Sequence, residues 1–165
     1  MSVTSASPSS AMRRAWMAVL ARMPRADLEA ALEHALQGVP APAYDWLRPP
    51  EIGLAMVRGR VGGSGDPFNL GEATVTRATL RLRVTGNTSA GTAAAVGVAC
   101  HLGRDRRRAE LAALADALLQ MPEHHAGLHR QLIEPFAAQQ AAQRVERRQD
   151  VAATRVEFFT MVRGD

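Results

Sequence analysis

The final stretch, Arg155-Val-Glu-Phe-Phe-Thr-Met-Val-Arg-Gly-Asp165, constrains the fold of this chain more than any other segment. Chain ends are usually polar and weakly held. This one carries two of the four Phe residues and one of the seven Met. Val156, Phe158, Thr160 and Val162 alternate with Glu157, Phe159 and Met161, so an extended strand here is largely apolar on both faces. Such a strand has to be covered on both sides, by its own domain or by another protein. Phe158, Phe159, Met161 and Arg163 are therefore the candidate partner-interface residues.

A length of 165 residues suits one domain with a real core, and 47% hydrophobic against 22% charged residues excludes a disordered chain. The expected organisation is a flexible tail over 1–10 and one domain over 11–165. The tail is rich in Ser but lacks the basic start and apolar centre of a secretion signal. No apolar run is long enough to cross a bilayer. The single Cys100 cannot form an internal disulfide, which fits a cytoplasmic protein.

All 20 basic residues are Arg, in a chain of formal charge +4. Guanidinium groups suit phosphate and carboxylate recognition, although an Ala-rich composition accounts for the same bias. The Arg residues are dispersed and aromatics make up only 4%, which argues against nucleic acid as a partner.

Apolar spacing predicts a helix over 11–22 on Met12, Trp16 and Met23. A second follows Pro24, with Leu28, Leu32 and Leu36 on its buried face and Gly38 closing it. The Pro-rich stretch from Pro40 to Pro50 reads as a loop packed on the body through Tyr44 and Trp46. Strands are expected at 52–60, 72–84, 93–102 and 154–162. A bulge near Thr76–Ala78 would reconcile the two halves of the second strand. The strand at 93–102 is apolar almost throughout and should be central. A helix follows from Arg106 to about Met121, capped by Asp105 and ended by Pro122, with Leu111, Leu114, Ala115 and Leu118 buried. His124–Glu134 is either a short helix or an extended segment. Residues 137–153 form a helix with a thin stripe of small residues. The expected fold is α+β: a single domain with an antiparallel sheet of about four strands and helices packed mainly on one face.

Arg60-Val-Gly-Gly-Ser-Gly65 is the main candidate for binding chemistry. Gly62, Gly63 and Gly65 around Ser64 allow positive φ and could turn backbone N–H groups toward a phosphate, with Arg60 beside them. A tight turn between two strands explains the same residues. The pattern is not a P-loop, because there is no Lys. Arg104, in Leu102-Gly-Arg-Asp105, stands where a strand meets a helix start and could also receive an anion. His124, His125 and His129 lack completing ligands for a metal site. Cys100 reads as a buried, inert thiol, with His101 on the opposite strand face. No catalytic residue and no metal ligand are assigned.

Four segments together resemble the PhnG family of the bacterial carbon–phosphorus lyase system: Arg14-Ala-Trp-Met-Ala-Val-Leu-Ala21, Arg60–Gly65 with Gly71-Glu-Ala-Thr-Val-Thr-Arg77, Leu102–Asp105, and the terminal Arg155–Asp165. The resemblance spans about 11–165 in order. It implies a cytoplasmic accessory subunit that acts with PhnH, PhnI and PhnL to displace adenine from ATP with a phosphonate, yielding a ribose 1-alkylphosphonate 5-triphosphate. It also implies membership, in duplicate, of a core assembly with PhnH, PhnI and the iron–sulfur subunit PhnJ. No cofactor of its own is expected; ATP and phosphonate are substrates of the assembly. Two rivals remain: a catalytic subunit using Glu72, Asp105 or Asp165, and an assembly scaffold or homo-oligomer that never touches substrate.

Overall fold

The computed structural model describes residues 9–37, 41–83 and 94–153. Helices α1 (Ser10–Leu20) and α2 (Arg25–Leu36) come first. Strand β1 (Tyr44–Arg60), a 3₁₀ turn (Val61–Gly63), β2 (Pro67–Leu82) and β3 (Val96–Leu102) form an antiparallel sheet in the order β1-β2-β3. Helix α3 (Arg106–Leu119) follows. Then α4 (Pro122–Leu128), a π-helical turn (His129–Ile133) and α5 (Glu134–Ala153) run on as one continuous rod. The domain is therefore α+β, with four helical rods and three described strands. The expected fourth strand, 154–162, lies outside the described residues, as do Phe158, Phe159, Met161, Arg163 and Asp165.

Helix α3 supplies the centre. Every residue from Leu111 to Leu119 is buried, and α3 packs across the sheet face formed by Thr76, Ala78, Leu80 and Leu82 of β2 with Gly97, Ala99 and His101 of β3. Trp16, Leu20, Met23, Leu28, Leu32 and Leu132 close the core from the helical side. Helices thus cover one sheet face, as expected. Asp105 caps α3 through its Oδ1, which accepts from the Arg108 N–H at 3.0 Å. A Cβ at Gly97 would sit 1.8 Å from the Ala113 carbonyl oxygen, so glycine alone lets strand and helix approach this closely. Gly97→Ala should cost about 2–3 kcal/mol of stability, read by urea unfolding; an unchanged midpoint would refute the close approach.

Several expected boundaries shift, each for a physical reason. Ser9 caps α1 by accepting from the Met12 N–H, so the helix starts inside the stretch read as tail. Pro24 is the N-cap of α2, and Gln37, at φ 51°, takes the left-handed position that was expected near Gly38. Pro122 opens α4 instead of ending α3, which stops at Leu119. His124–Glu134 is helical, and its π turn precedes Pro135, whose ring cannot follow a regular α-turn.

The Pro40–Pro50 stretch is not a loop beyond Ala43: β1 begins at Tyr44. An edge strand tolerates Pro49 and Pro50, and the register slips on either side of Arg48 absorb them. No bulge breaks β2 at Thr76–Ala78; its pairing with β3 is continuous. The phase change disappears because a polar residue, Thr76, is buried, its Oγ1 donating to the Gly103 carbonyl at 2.6 Å. Among the described strands the central one is β2, with the more apolar β3 beside it.

Tyr44 and Trp46 pack on the core, as the sequence suggested. The Tyr44 hydroxyl donates to Glu110 Oε1 at 2.6 Å, and burial followed by this carboxylate pushes its pKa up to about 12. The folded state therefore favours the protonated phenol. Stability from this group is complete below the ordinary tyrosine value and is lost as pH rises from 10 through 12. Urea midpoints should fall across that window in the parent and fall less in Tyr44→Phe; parallel curves would contradict the linkage.

Candidate functional site

Among the described residues, the far half of the β1–β2 hairpin leaves a run of large apolar side chains exposed. Pairing of β2 with β3 stops at Val75–Leu102, whereas β1 and β2 stay paired out to Arg60–Pro67. At about 3.3 Å per residue, the two-stranded arm reaches roughly 25 Å past the end of β3. Both its outer edges lack a strand partner among the described residues.

Both faces of the arm are apolar and open. Ile52, Leu54 and Met56 continue the core-facing side beyond the helices, and Leu54 is 64% exposed. Val57, Val61, Phe68 and Leu70 are exposed further along, Leu70 at 64%. A register shift between Val57 and Arg58 kinks the arm near its tip. The base is stitched by Arg48 and Arg77, which both reach Glu51. The Arg77 hydrogen bond is the main reason that the Glu51 carboxyl lies below its usual range. A two-stranded hairpin without cover is marginal in water, and exposed apolar patches of this kind mark interaction sites. The sequence contained the signal, since Ile52–Val57 is apolar out of step with any single face, but read alone it suggested only an ordinary strand.

The glycine loop forms the tip of this arm. Gly62 takes φ +61°, the left-handed conformation that suits glycine. The N–H groups of Ser64 and Gly65 both donate to the Val61 carbonyl, and Arg60 Nη1 donates to the Gly65 carbonyl at 3.0 Å. Two loop donors and one guanidinium N–H thus close the turn itself. Arg104 stands exposed just beyond β3, at the base of the arm, so the structure does not bring it to Arg60 and the Gly62–Gly65 loop within one chain.

The remaining candidates are dispersed. Asp105 is the α3 cap and lies 3.9 Å from Arg25 Nη1. Glu72 is exposed on the arm opposite Met56. Arg107 reaches Glu110 at 2.8 Å and Glu29 at 3.5 Å, so the arginines of the first α3 turn tie neighbouring elements. His125 Nδ1 contacts the Leu119 carbonyl at 2.7 Å, and His129 Nδ1 faces Glu134 at 3.1 Å. Among the described residues no His, Cys, Asp and Glu side chains gather in a metal-holding group, and no helix is long and apolar enough to cross a membrane. Cys100 is exposed, contrary to expectation, while His101 is buried on the opposite face as expected. No described element covers the outer face of β3, where Leu102 is exposed as well.

Comparison with known proteins identifies the family. The family described as phosphonate metabolism protein PhnG matches residues 11–164. Alpha-D-ribose 1-methylphosphonate 5-triphosphate synthase subunit PhnG of Rhizobium meliloti (strain 1021) is 48% identical over 155 residues, covering 94% of this chain and 91% of that protein. With nearly the whole length matched on both sides, the chain belongs to the PhnG family.

Proposed function

We propose that this chain is an accessory, non-catalytic subunit of an alpha-D-ribose 1-methylphosphonate 5-triphosphate synthase, a transferase complex. The observation that carries the reading is the near-full-length likeness to a protein named as a subunit of that synthase. The open hairpin arm supports it, because apolar surface on both faces and two free edges are what a companion would cover.

The companions are homologues of PhnH, PhnI, PhnJ and PhnL in a cytoplasmic assembly. ATP and a phosphonate are substrates of the whole, and this subunit carries no cofactor of its own. Phe158, Phe159, Met161 and Arg163 form a second contact with the companions. The arm tip, with Arg60, Gly62, Gly63, Ser64 and Gly65, reaches toward the triphosphate or phosphonate bound on a companion, and Arg104 meets an anionic group at the arm base.

The test is reconstitution. The companions with this chain should release adenine from ATP when methylphosphonate is supplied, and the companions without it should not. Alanine at Glu72 or Asp105 should leave turnover intact, whereas Arg60→Ala should raise the KM for ATP several-fold. Full activity in the chain's absence would overturn the reading. An unchanged KM in Arg60→Ala would leave a subunit that assembles without touching substrate.

A further inference from the structure

Val98, Ala99, Cys100 and His101 of β3 line a cavity of about 200 Å³ against Met17 and Ala18 of α1. Side chains of consecutive strand residues alternate between faces, so four in a row meet one cavity only along the strand's edge. The cavity is thus a groove beside the outer edge of β3. The ladder with β2 shows which backbone groups point there. Leu82 N–H donates to the Ala95 carbonyl and Gly103 N–H to the Thr74 carbonyl, so the odd-numbered residues of β3 face β2 and the even-numbered ones face outward. Asp116 takes the outward N–H of Val98, and Arg13 with Gln120 takes the outward carbonyl of Val96. Beyond them, no described group meets the Val98 carbonyl or the N–H and carbonyl of Cys100 and Leu102.

We propose that this open edge takes the C-terminal segment of a second copy of this chain, residues 156–162 adding a fourth strand beside β3. The alternation of that segment supplies apolar side chains to both sheet faces. One set enters the groove against α1, and the other continues the outer row of Val96, Val98 and Cys100. An apolar cavity of ~150 Å³ holds benzene, so the groove fits one phenyl ring, that of Phe158 or Phe159. With this strand in place β3 becomes an inner strand, which accounts for its apolar run, and main-chain pairing satisfies the edge.

Reach selects a second copy over the same chain. Gln140 anchors α5 to the Val19 carbonyl, beside the groove. Residues 141–153 then carry the helix about 20 Å onward. Returning that distance uses about six of the residues after Ala153, which takes Val156 and Phe158 off the edge. Two copies related by a two-fold axis avoid the return. Their α5 helices, laid antiparallel, bring the end of each to the root of the other and so to its groove. The exposed Ala141 and Val145 let the two helices approach closely. The outer edge of the added strand stays open to companions, and the exchange does not rest on the synthase reading.

Cys100 is the single cysteine, so one added cysteine reports on one pair. In the full-length chain, each of residues 156–162 is replaced in turn by Cys and mildly oxidised. Disulfide-linked dimers are expected at positions of one parity, at least tenfold faster than at the other, because alternate residues of a strand share the Cys100 face. Cys100→Ser in the same variants should abolish the links. Light scattering of the unaltered chain should give twice 17.7 kDa. Ala18 is exposed on a helix that accepts glutamate, so Ala18→Glu should keep the circular dichroism spectrum and weaken the dimer at least tenfold. Links within one chain, no link at any position, equal rates at both parities, a monomeric mass, or an undiminished dimer in Ala18→Glu would each overturn the proposal.

Discussion

Asp116→Ala should destabilise the subunit by about 2–4 kcal/mol, because it takes the acceptor from buried N–H donors while Arg13 keeps partial access to water. Asp116 is fully buried in the middle of α3. Its Oδ2 lies 2.7 Å from Arg13 Nη2 and accepts from the Val98 N–H at 2.9 Å. Its Oδ1 accepts from Trp16 Nε1 at 2.8 Å. One carboxylate therefore joins α1, β3 and α3. Arg13 Nη2 and Gln120 Nε2 both donate to the Val96 carbonyl at 2.9 Å, which extends the knot to the start of β3. Removing the carboxylate leaves an indole N–H, a strand N–H and a guanidinium without their acceptor. Urea unfolding followed by Trp fluorescence measures the loss. A change below about 1 kcal/mol would mean that the network adds little to the surrounding packing. Asp116→Asn keeps the shape and part of the bonding, and should fall between the parent and Ala.

The double change Leu54→Glu with Leu70→Glu should abolish co-purification with the companion subunits while leaving the melting temperature of the isolated chain nearly unchanged. Both side chains are largely in solvent, and substitutions at such positions usually stay within about 0.5 kcal/mol. Covered by a partner, each leucine would contribute roughly 1.5–3 kcal/mol. Losing both weakens assembly by about two to four powers of ten, at ~1.4 kcal/mol per tenfold. Calorimetry of the single chain and pull-down of the co-expressed set read the two effects separately. A variant that assembles at parental yield would remove the arm from the interface.

The sequence was most legible where periodicity and local chemistry agree. Leu28, Leu32, Leu111 and Leu118 marked buried helix faces, and Asp105 marked a helix start that its side chain does cap. It was least legible where tertiary cover decides. Asp116 was passed over because a carboxylate in an Ala/Leu helix looks solvated until Arg13 and Trp16, a hundred residues away, are seen to meet it. Pro49 and Pro50 suggested a loop because only strand order reveals the edge position that accommodates them. The apolar run of β3 suggested a central strand; instead its outer residues, Cys100 and Leu102 among them, lie open. In the Gly62–Gly65 loop, glycine content was readable, but the direction of the N–H groups toward Val61 was not.

Among the described residues, helix α5 packs on the body near its start, where Gln140 Nε2 donates to the Val19 carbonyl at 3.4 Å, and the side chains from 141 to 153 are exposed. A helical segment that buries little of its own surface is marginal in water. Part of its order would then be deferred: a neighbour docking on this exposed side would settle some of the entropy of straightening it. Such deferral lowers affinity for each unit of area joined, and it makes release easy.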